Sequence, residues 1–388
     1  MIRICTRAIA PSEQARGWLR RYRGKKPHFA CILSFTETSL QPQISAAGTS
    51  PNARRYTALA DGEYLHSGKN SRYSLPPLPA GVSPAVLTRA ILTHCNIPLR
   101  LFSTGLPDCL TVPHTSLPTV LAKDLRTGSA MTLQQAERLF NSGYEQGAQL
   151  ATERPDSYWV LGESVVGGTT TAQAILTALG YEVTGKVGSS HLQSNHEQKQ
   201  ALIQSGLRHW QERCKVTEHR STDCQFTDRQ FLPSKQLRPY SINPVAAASA
   251  IGDPMQLVAA GMMLSISQST GLLLAGGSQM LAVYALAKAI ASFKNIPWNP
   301  HQVVVGTTRW VIEDTGADTI TIAQAVGAPY LASQLSFAHS PYFQLRAYER
   351  GFVKEGTGVG GCAIAAHLDQ NCTNAQLRHA IEAQLRQL

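Results

Sequence analysis

Two glutamates lie inside glycine-rich segments of the chain. Glu163 belongs to the segment GESVVGG (residues 162–168), and Glu355 belongs to KEGTGVGG (residues 354–361). A carboxylate beside glycines and backbone N–H donors can take a proton or bind sugar hydroxyls. The competing interpretation of each is a surface glutamate near the start of a helix, which the helix dipole favours. Because either glutamate alone fits the surface interpretation better, the two loops have to be judged together.

The first glycine loop lies between a strand pattern and a helix pattern. Residues 158–161 are aromatic and apolar, and from Thr169 onward apolar residues recur at helical spacing until Gly180. A helix N-terminus presents unpaired N–H groups and a partial positive charge, so this loop could hold a phosphate. It is neither a Walker A loop nor GxGxxG, and a tight strand-to-helix turn capped by Thr169 explains it equally well. Lys186 could add a positive charge for the phosphate or could be a solvated surface lysine.

The rest of the chain alternates apolar strands with amphipathic helices. This pattern predicts an α/β fold with a mainly parallel sheet flanked by helices, a Rossmann-like three-layer arrangement, with a smaller helical part from the chain ends. Ligands bind beyond the carboxyl ends of the strands in such sheets, so both glycine loops could lie at that edge. The predicted strands are 28–35, 97–103, 158–161, 272–275 and 302–306; the predicted helices are 83–93, 131–150, 169–180, 192–210, 255–264, 279–293, 341–350, 362–367 and 374–388.

Composition indicates a folded protein. Of the 388 residues, 43% are hydrophobic and 15% are charged, which argues against a disordered chain. No apolar run reaches the roughly 18 residues that a membrane span needs. The eight cysteines form no CxxC pair and favour reduced thiols in a cytoplasmic protein. Cys214, His219 and Cys224 lie close in sequence, but their spacing matches no standard zinc pattern, so we expect no metal.

Charge and polarity suggest how the chain is divided. The net charge is +10, and six basic residues crowd residues 16–26. We interpret residues 1–27 as a basic, solvated extension in preference to a nucleic-acid arm, because no recognition motif accompanies the charge. An Arg-rich transit peptide is a further interpretation. Residues 28–388 then form one α/β domain. Within it, residues 36–61 are turn-rich and suggest a functional loop, and residues 212–244 suggest an insertion or a lid.

Four segments together resemble the nicotinate-nucleotide:dimethylbenzimidazole phosphoribosyltransferase family. GESVVGGTT at 162–170 resembles its GEMGIGNTT-type phosphate loop, and KEGTGVGG at 354–361 resembles its GEGTGA-type loop. Residues 252–277 are similar to its G-G-x-E-I-A-x-x-A-G segment and following apolar strand, and residues 124–151 to the stretch before the first loop. The match is closer still to a divergent branch marked by GES-x-x-GGTTT, GDPMQ and RAYE-x-G-x-x-KEG.

The resemblance implies transfer of the 5-phosphoribosyl group from nicotinate mononucleotide to a benzimidazole-like or purine base. The products are an α-riboside 5′-phosphate and nicotinate, a step in assembling the lower ligand of cobamides. Glu355 matches the catalytic glutamate, which takes the proton from the attacking base, and Glu163 would bind near the ribose. The resemblance implies a homodimer that needs no metal or cofactor. The phosphate and ribose contacts that it implies are Gly167, Gly168, Thr169, Thr170, Gly356 and Gly358, with Lys186 as a further phosphate partner.

The sequence departs from the family pattern where the acceptor base is expected. Asp253 replaces a usual residue of the G-G-x-E segment, and Glu37, Thr38 and Ser39 stand where the family has Asp-His-Gly. We assign these four residues to the acceptor-base region. The same departures motivate an alternative function, a non-catalytic nucleotide-binding or regulatory protein on the same fold. Either function predicts small-molecule ligands and no membrane or nucleic-acid partner.

Overall fold

An eight-stranded sheet forms the centre of the structure, a computed structural model that describes residues 1–48, 50–69, 72–78, 80–217 and 242–388. The strands are β1 (Ile2–Ile4), β2 (Pro27–Ser34), β3 (Leu99–Thr104), β4 (Thr115–Ser116), β5 (Tyr158–Ser164), β6 (Gly271–Ala275), β7 (Val303–Thr308) and β8 (Tyr330–Ser333). Their order across the sheet is β1-β8-β7-β6-β5-β2-β3-β4. Every neighbouring pair is parallel except β1 with β8.

The central strands are apolar on both faces. On β2, Phe29 and Leu33 face one hydrophobic core, whereas Ile32 faces the other. Phe29 lies opposite Val160 of β5 and Leu99 of β3. A parallel sheet covered on both sides requires such continuous apolar strands, and this is why the short runs of valine, leucine and isoleucine identify them in the sequence.

Helices cover both faces of the sheet. They are α1 (Ile9–Tyr22), α2 (Thr57–Ser67), α3 (Pro84–His94), α4 (Leu133–Glu153), α5 (Gly168–Ala178), α6 (His196–Thr217), α7 (Pro244–Ile251), α8 (Pro254–Ile266), α9 (Ser278–Lys294), α10 (Arg309–Ile312), α11 (Thr319–Val326), α12 (Phe343–Glu349), α13 (Val359–Gln370) and α14 (Asn374–Leu385). Helices α4 to α9 and α11 build one core, and α1 to α3 and α12 to α14 build the other. The predicted three-layer α/β fold is therefore confirmed. Within the described residues, no helix combines the length and apolarity needed to cross a membrane.

Several predicted local features are also present. The five predicted strands correspond to β2, β3, β5, β6 and β7. Thr132 caps α4 and forms the predicted capping box with Gln135. The turn-rich segment 36–61 is more ordered than predicted, because it contains two short 3-10 helices and the start of α2. Residues 218–241, which make up most of the predicted insertion or lid and include His219 and Cys224, lie outside the described residues.

The first 27 residues are not the solvated extension that their charge suggested. Strand β1 pairs with β8, and the backbone N–H of Gln334 donates to the Met1 carbonyl (2.7 Å). Helix α1 buries Ala15, Trp18 and Tyr22, and the Trp18 indole donates to the Gln302 carbonyl (2.9 Å). The spacing i, i+3, i+7 of the three buried residues is that of one helical face. The basic residues between them concealed this apolar stripe.

If α1 is docked in this way, Trp18→Ala should lower the free energy of unfolding by about 3–5 kcal/mol, the usual cost of emptying a buried tryptophan site. Trp18 is only 1% exposed. Urea denaturation followed by circular dichroism measures the change. Arg16→Ala on the exposed face of the same helix is the control and should change the stability by less than about 0.5 kcal/mol. Equal small effects of both substitutions would contradict the docking.

Candidate active site

A cavity of about 680 Å³ opens at the edge of the sheet where the parallel strands end. Both glycine loops contribute to its wall, with residues 163–169 running from the end of β5 into the first turn of α5 and residues 355–357 preceding α13. Residues 43–47 and 190–195 form further wall segments, together with the N-terminal turns of α2 and α3. The cavity therefore lies where open α/β sheets bind their ligands.

The two loops end in helix N-termini of the same construction. Gly167 precedes α5 with φ +84°, and Gly358 precedes α13 with φ +74°. A side chain is strained in this left-handed region. A Cβ at Gly358 would also lie 3.0 Å from the Phe29 ring and 3.3 Å from the Gly162 Cα, so the two loops touch through glycines. The N-terminus of α5 has no side-chain cap among the described residues, which leaves this helix end to attract a negative ligand. The first turn of α13 differs, because the Glu355 carboxylate already accepts from the Gly360 N–H there.

Glu355 is held at both carboxylate oxygens. Its Oε2 accepts hydrogen bonds from the Thr307 hydroxyl (2.9 Å) and the Thr308 backbone N–H (2.9 Å), both at the end of β7. Its Oε1 accepts from the backbone N–H groups of Gly356 and Gly360 (3.2 Å each). Burial raises the pKa of Glu355 to about 7, against the opposing effect of these four donors. A carboxylate with this pKa can take and release a proton near neutral pH.

Two more carboxyl groups line the same cavity. Burial, followed by the charge of Asp253, raises the pKa of Glu163 to about 8. The Oε2 of Glu163 has no hydrogen-bond partner among the described residues. Asp61 on α2 accepts from the hydroxyls of Ser83 (3.2 Å) and Ser164 (2.8 Å), and burial raises its pKa to about 6. Burial therefore raises the pKa of all three carboxyl groups above the ordinary range.

The structure brings most of the predicted phosphate and ribose residues to the cavity. Glu163, Gly167, Gly168, Thr169, Glu355 and Gly356 line it. Thr170 is fully buried in the first turn of α5, and Gly358 stands behind the wall at the start of α13. Lys186 lies outside the cavity, where its ammonium donates to the Glu182 carbonyl (2.9 Å).

The residues assigned to the acceptor base lie behind the first glycine loop. Thr38 and Ser39 belong to the 3-10 helix Glu37–Leu40, and a Cβ at Gly167 would lie 3.2 Å from the Ser39 nitrogen. Asp253 caps α8 and accepts from the Thr171 hydroxyl (2.6 Å). These residues support the loop from outside the cavity wall.

Sequence reasoning missed the side chain that shapes the opposite wall. The buried Arg54 donates to the backbone carbonyls of Ser39, Gln41, Ser45 and Ala47 over 2.7–3.1 Å. It thereby fixes the segment whose residues 43–47 line the cavity. The only local signal was its place in the turn-rich segment 36–61, because the four carbonyls become neighbours only when the loop folds.

Two buried lysines hold another wall segment. Lys354, next to Glu355, pairs with Asp314 (2.8 Å) and donates to the carbonyls of Ser189 and His191 (3.1 Å each). Lys199 donates to the carbonyls of residues 187 and 188. Burial, followed by the charge of Lys354, lowers the pKa of Lys199 to about 7. These bonds tie the Glu355 loop to the segment that carries Ser190 and His191 into the cavity.

One cluster of potential metal ligands in the described part of the chain lies away from this cavity. His94, Cys95 and Cys372 have ligand atoms within 4.8 Å of one another, and the two sulfurs are 3.5 Å apart. Burial raises the pKa of the Cys95 thiol to about 12, which disfavours the thiolate that binds metals. The chemistry that the cavity itself offers is proton transfer and anion binding.

The carboxyl groups make stability depend on pH. Because burial raises the pKa of Glu163, the folded protein keeps a proton that the unfolded chain loses at lower pH, so stability falls as pH rises through about 8. Glu163→Gln should remove this penalty. The melting temperature of the variant minus that of the wild type should therefore be higher at pH 9 than at pH 5 by about 2 °C or more. Differential scanning calorimetry without ligands measures the difference, and the exposed Glu145→Gln should show no such trend. A constant difference for Glu163→Gln would contradict the assignment.

The chain matches a family model and is similar to relatives over nearly their whole length. A family model described as phosphoribosyltransferase matches residues 93–221. A UPF0284 protein of Nostoc sp. is 48% identical, with 100% of this chain and 99% of the relative covered. A UPF0284 protein of Trichodesmium erythraeum is 47% identical, with coverage of 98% and 97%.

Solved structures extend the likeness to the fold. The structure of CobT from Thermus thermophilus superposes with a TM-score of 0.59 at 15% identity and covers 95% of this chain and 90% of that one. A structure of nicotinate-nucleotide-dimethylbenzimidazole phosphoribosyltransferase from the same organism gives a TM-score of 0.55 at 16% identity, with coverage of 94% and 91%. The family resemblance carried by the glycine loops is confirmed: the chain belongs to the UPF0284 family, a divergent branch with a CobT-like phosphoribosyltransferase domain.

Proposed function

We propose that this protein transfers the 5-phosphoribosyl group of nicotinate mononucleotide to a benzimidazole-like or purine base, with release of nicotinate. The observation that carries the proposal is Glu355, a carboxylate with a pKa of about 7 that lines the same cavity as the uncapped N-terminus of α5. The phosphoribosyltransferase domain supports the reaction class. The homodimer and the role in cobamide assembly belong to this proposal as well.

The N-terminus of α5 is the proposed phosphate seat. Gly168 and Thr169 line the cavity there, and the helix end carries a partial positive charge. The Gln279 amide lies against Gly168 and lines the cavity, and its hydrogen bond to Asp253 lowers the pKa of that carboxyl. In the proposed complex the same amide nitrogen also donates to the phosphate, because it carries two N–H groups. This neutral set of donors takes over the role that the sequence suggested for Lys186.

Glu355 is the proposed general base. The attacking ring nitrogen of the acceptor forms a bond to C1′ while the bond from C1′ to the nicotinate nitrogen breaks, and that electron pair neutralises the pyridinium. The proton of the attacking nitrogen passes to Glu355. Attack from the opposite face inverts C1′ from β to α. Since the leaving nitrogen is already positive, the step needs a positioned phosphate, an aligned nucleophile and one base.

Glu163 is the proposed ribose contact. It is largely protonated near pH 7 because of its raised pKa, so it can donate to a ribose hydroxyl as well as accept from one. Its Oε2 is buried and lacks a partner in the described part of the chain.

The turnover assay tests the proposal directly. Purified protein is mixed with nicotinate mononucleotide and adenine, benzimidazole, dimethylbenzimidazole or simple phenols, and mass spectrometry follows the products. We expect nicotinate release together with an α-riboside 5′-phosphate. Calorimetric binding of the nucleotide without product from any base would replace the proposal with the non-catalytic nucleotide-binding function.

Glu355→Gln should reduce kcat by about two orders of magnitude or more, because the amide cannot take the proton. The affinity for nicotinate mononucleotide should change little, since the amide keeps the shape of the carboxylate. Calorimetry measures that affinity separately. The control is the exposed Glu145→Gln, because the alternative Glu349 on α12 pairs with Arg309. Near-normal turnover in Glu355→Gln would overturn the role assigned to Glu355.

Gly167→Ala should raise the KM for nicotinate mononucleotide about tenfold or more, because the new Cβ strains the positive φ and presses against Ser39 at the phosphate loop. Steady-state kinetics over a range of nucleotide concentrations measures it. Gly180→Ala, at the far end of α5, also has a positive φ but nothing within 4 Å, and serves as the matched control. An equal effect of both substitutions on KM would show strain without a role in phosphate binding.

A further inference from the structure

The lining of the cavity combines two kinds of groups. Gly168, Thr169 and Gln279 offer polar donors, which suit a phosphate. Pro76, Leu78, Pro84 and Phe352 line the same cavity with apolar side chains. Proline, leucine and phenylalanine suit a flat aromatic ring, whose polar edge then requires specific partners. The apolar part of the lining therefore suits the acceptor base.

Asp61 is a further carboxylate of the same cavity lining. It lies on α2, is 5% exposed, and contributes to the cavity wall together with Ser83. Each of its oxygens accepts one serine hydroxyl, from Ser83 and from Ser164. A carboxylate offers about four acceptor sites, so Asp61 keeps acceptor capacity for a ligand. Its serine partners fix the direction in which that capacity is presented.

Burying a carboxylate in an apolar wall is costly unless it gains hydrogen bonds. Two serine hydroxyls compensate only in part, as the raised pKa of Asp61 shows. A ligand N–H would complete the set. A methyl group at the same place would instead exclude water from the carboxylate and give no bond in return.

We propose that Asp61 selects the acceptor by binding an N–H group other than the one that Glu355 deprotonates. The inference rests on the proposed function and narrows its substrate class to heteroaromatic bases that carry an exocyclic amino group, such as an aminopurine. Asp61 accepts a hydrogen bond and takes no proton in the reaction. Methyl-substituted benzimidazoles are then poor acceptors, because a polar site left unpaired rejects an analogue strongly.

The first test varies the substrate and leaves the protein unchanged. Adenine and 6-methylpurine differ by an amino group in place of a methyl group of similar size. The wild type should use adenine with a kcat/KM at least about tenfold higher, the scale of one charged hydrogen bond. Equal use of the two bases would overturn the inference, and so would a preference for dimethylbenzimidazole over adenine.

The second test varies Asp61. Asp61→Asn and Asp61→Leu should each lower the ratio of kcat/KM for adenine to that for 6-methylpurine by about tenfold. Asp156→Asn, at an exposed position before β5, is the matched control and should keep the wild-type ratio. A merely structural Asp61 would lower both values together and keep the ratio, which would contradict the inference. Thermal unfolding checks that each variant folds. If neither variant folds, the wild-type comparison of adenine with 6-methylpurine tests the inference alone.

The outcomes for the inference and for the proposed function remain distinct. If none of the tested bases leads the wild type to release nicotinate, the proposed function fails. If it turns over adenine and 6-methylpurine equally well, the phosphoribosyl transfer stands and the role of Asp61 is wrong.

Discussion

The carboxylate of Glu355 joins two parts of the fold at one point. Its oxygens accept from the end of β7 on one side and from the start of α13 on the other, so this group links strand and helix. The four donors favour the ionised form, whereas burial favours the protonated form, and the balance leaves its pKa at about 7. Strand β6 separates β7 from β5, so the same sheet fixes how far Glu355 stands from the α5 terminus. The geometry of the whole cavity thus depends on parallel strands that end together.

The charge of the cavity follows from the same burial. Burial raises the pKa values of Asp61, Glu355 and Glu163 toward the neutral range, so the cavity gains negative charge there as pH rises. In the proposed reaction positive charge develops at C1′ while the phosphate keeps its negative charge. The carboxyl groups of the cavity lining and a helix N-terminus near the phosphate place each sign where it is stabilised. The lining is in this respect an electrostatic arrangement as well as a steric one.

The sequence alone predicted those features that depend on residues close to one another in the chain. The apolar runs of β2, β5, β6 and β7, the capping box of α4 and both glycine loops follow from patterns within a few residues. The sequence did not predict elements or side chains whose contacts are with residues far away in the chain. Strand β1 has three residues and β8 has four, and neither shows a pattern of its own. Arg54 and Asp61 acquire their roles only from the carbonyls and hydroxyls that folding brings to them. Glu37, Thr38 and Ser39 were expected to line the acceptor-base region. They form a short 3-10 helix instead, and residues 43–47 after it line the cavity.

The pairing of β1 with β8 constrains the order in which this sheet can be completed. Strand β1 leaves the ribosome before the other seven strands and finds its partner only after residue 330 has been made, so it stays unpaired through most of synthesis. Once β8 has formed, its outer edge stays open until β1 pairs with it, and an uncovered strand edge invites pairing with other chains. The hydrogen bond from the Gln334 N–H to the carbonyl of Met1 extends this pairing by one residue, so β1 completes the sheet. Substitutions that weaken β1 would therefore leave the edge of β8 open to association with other chains.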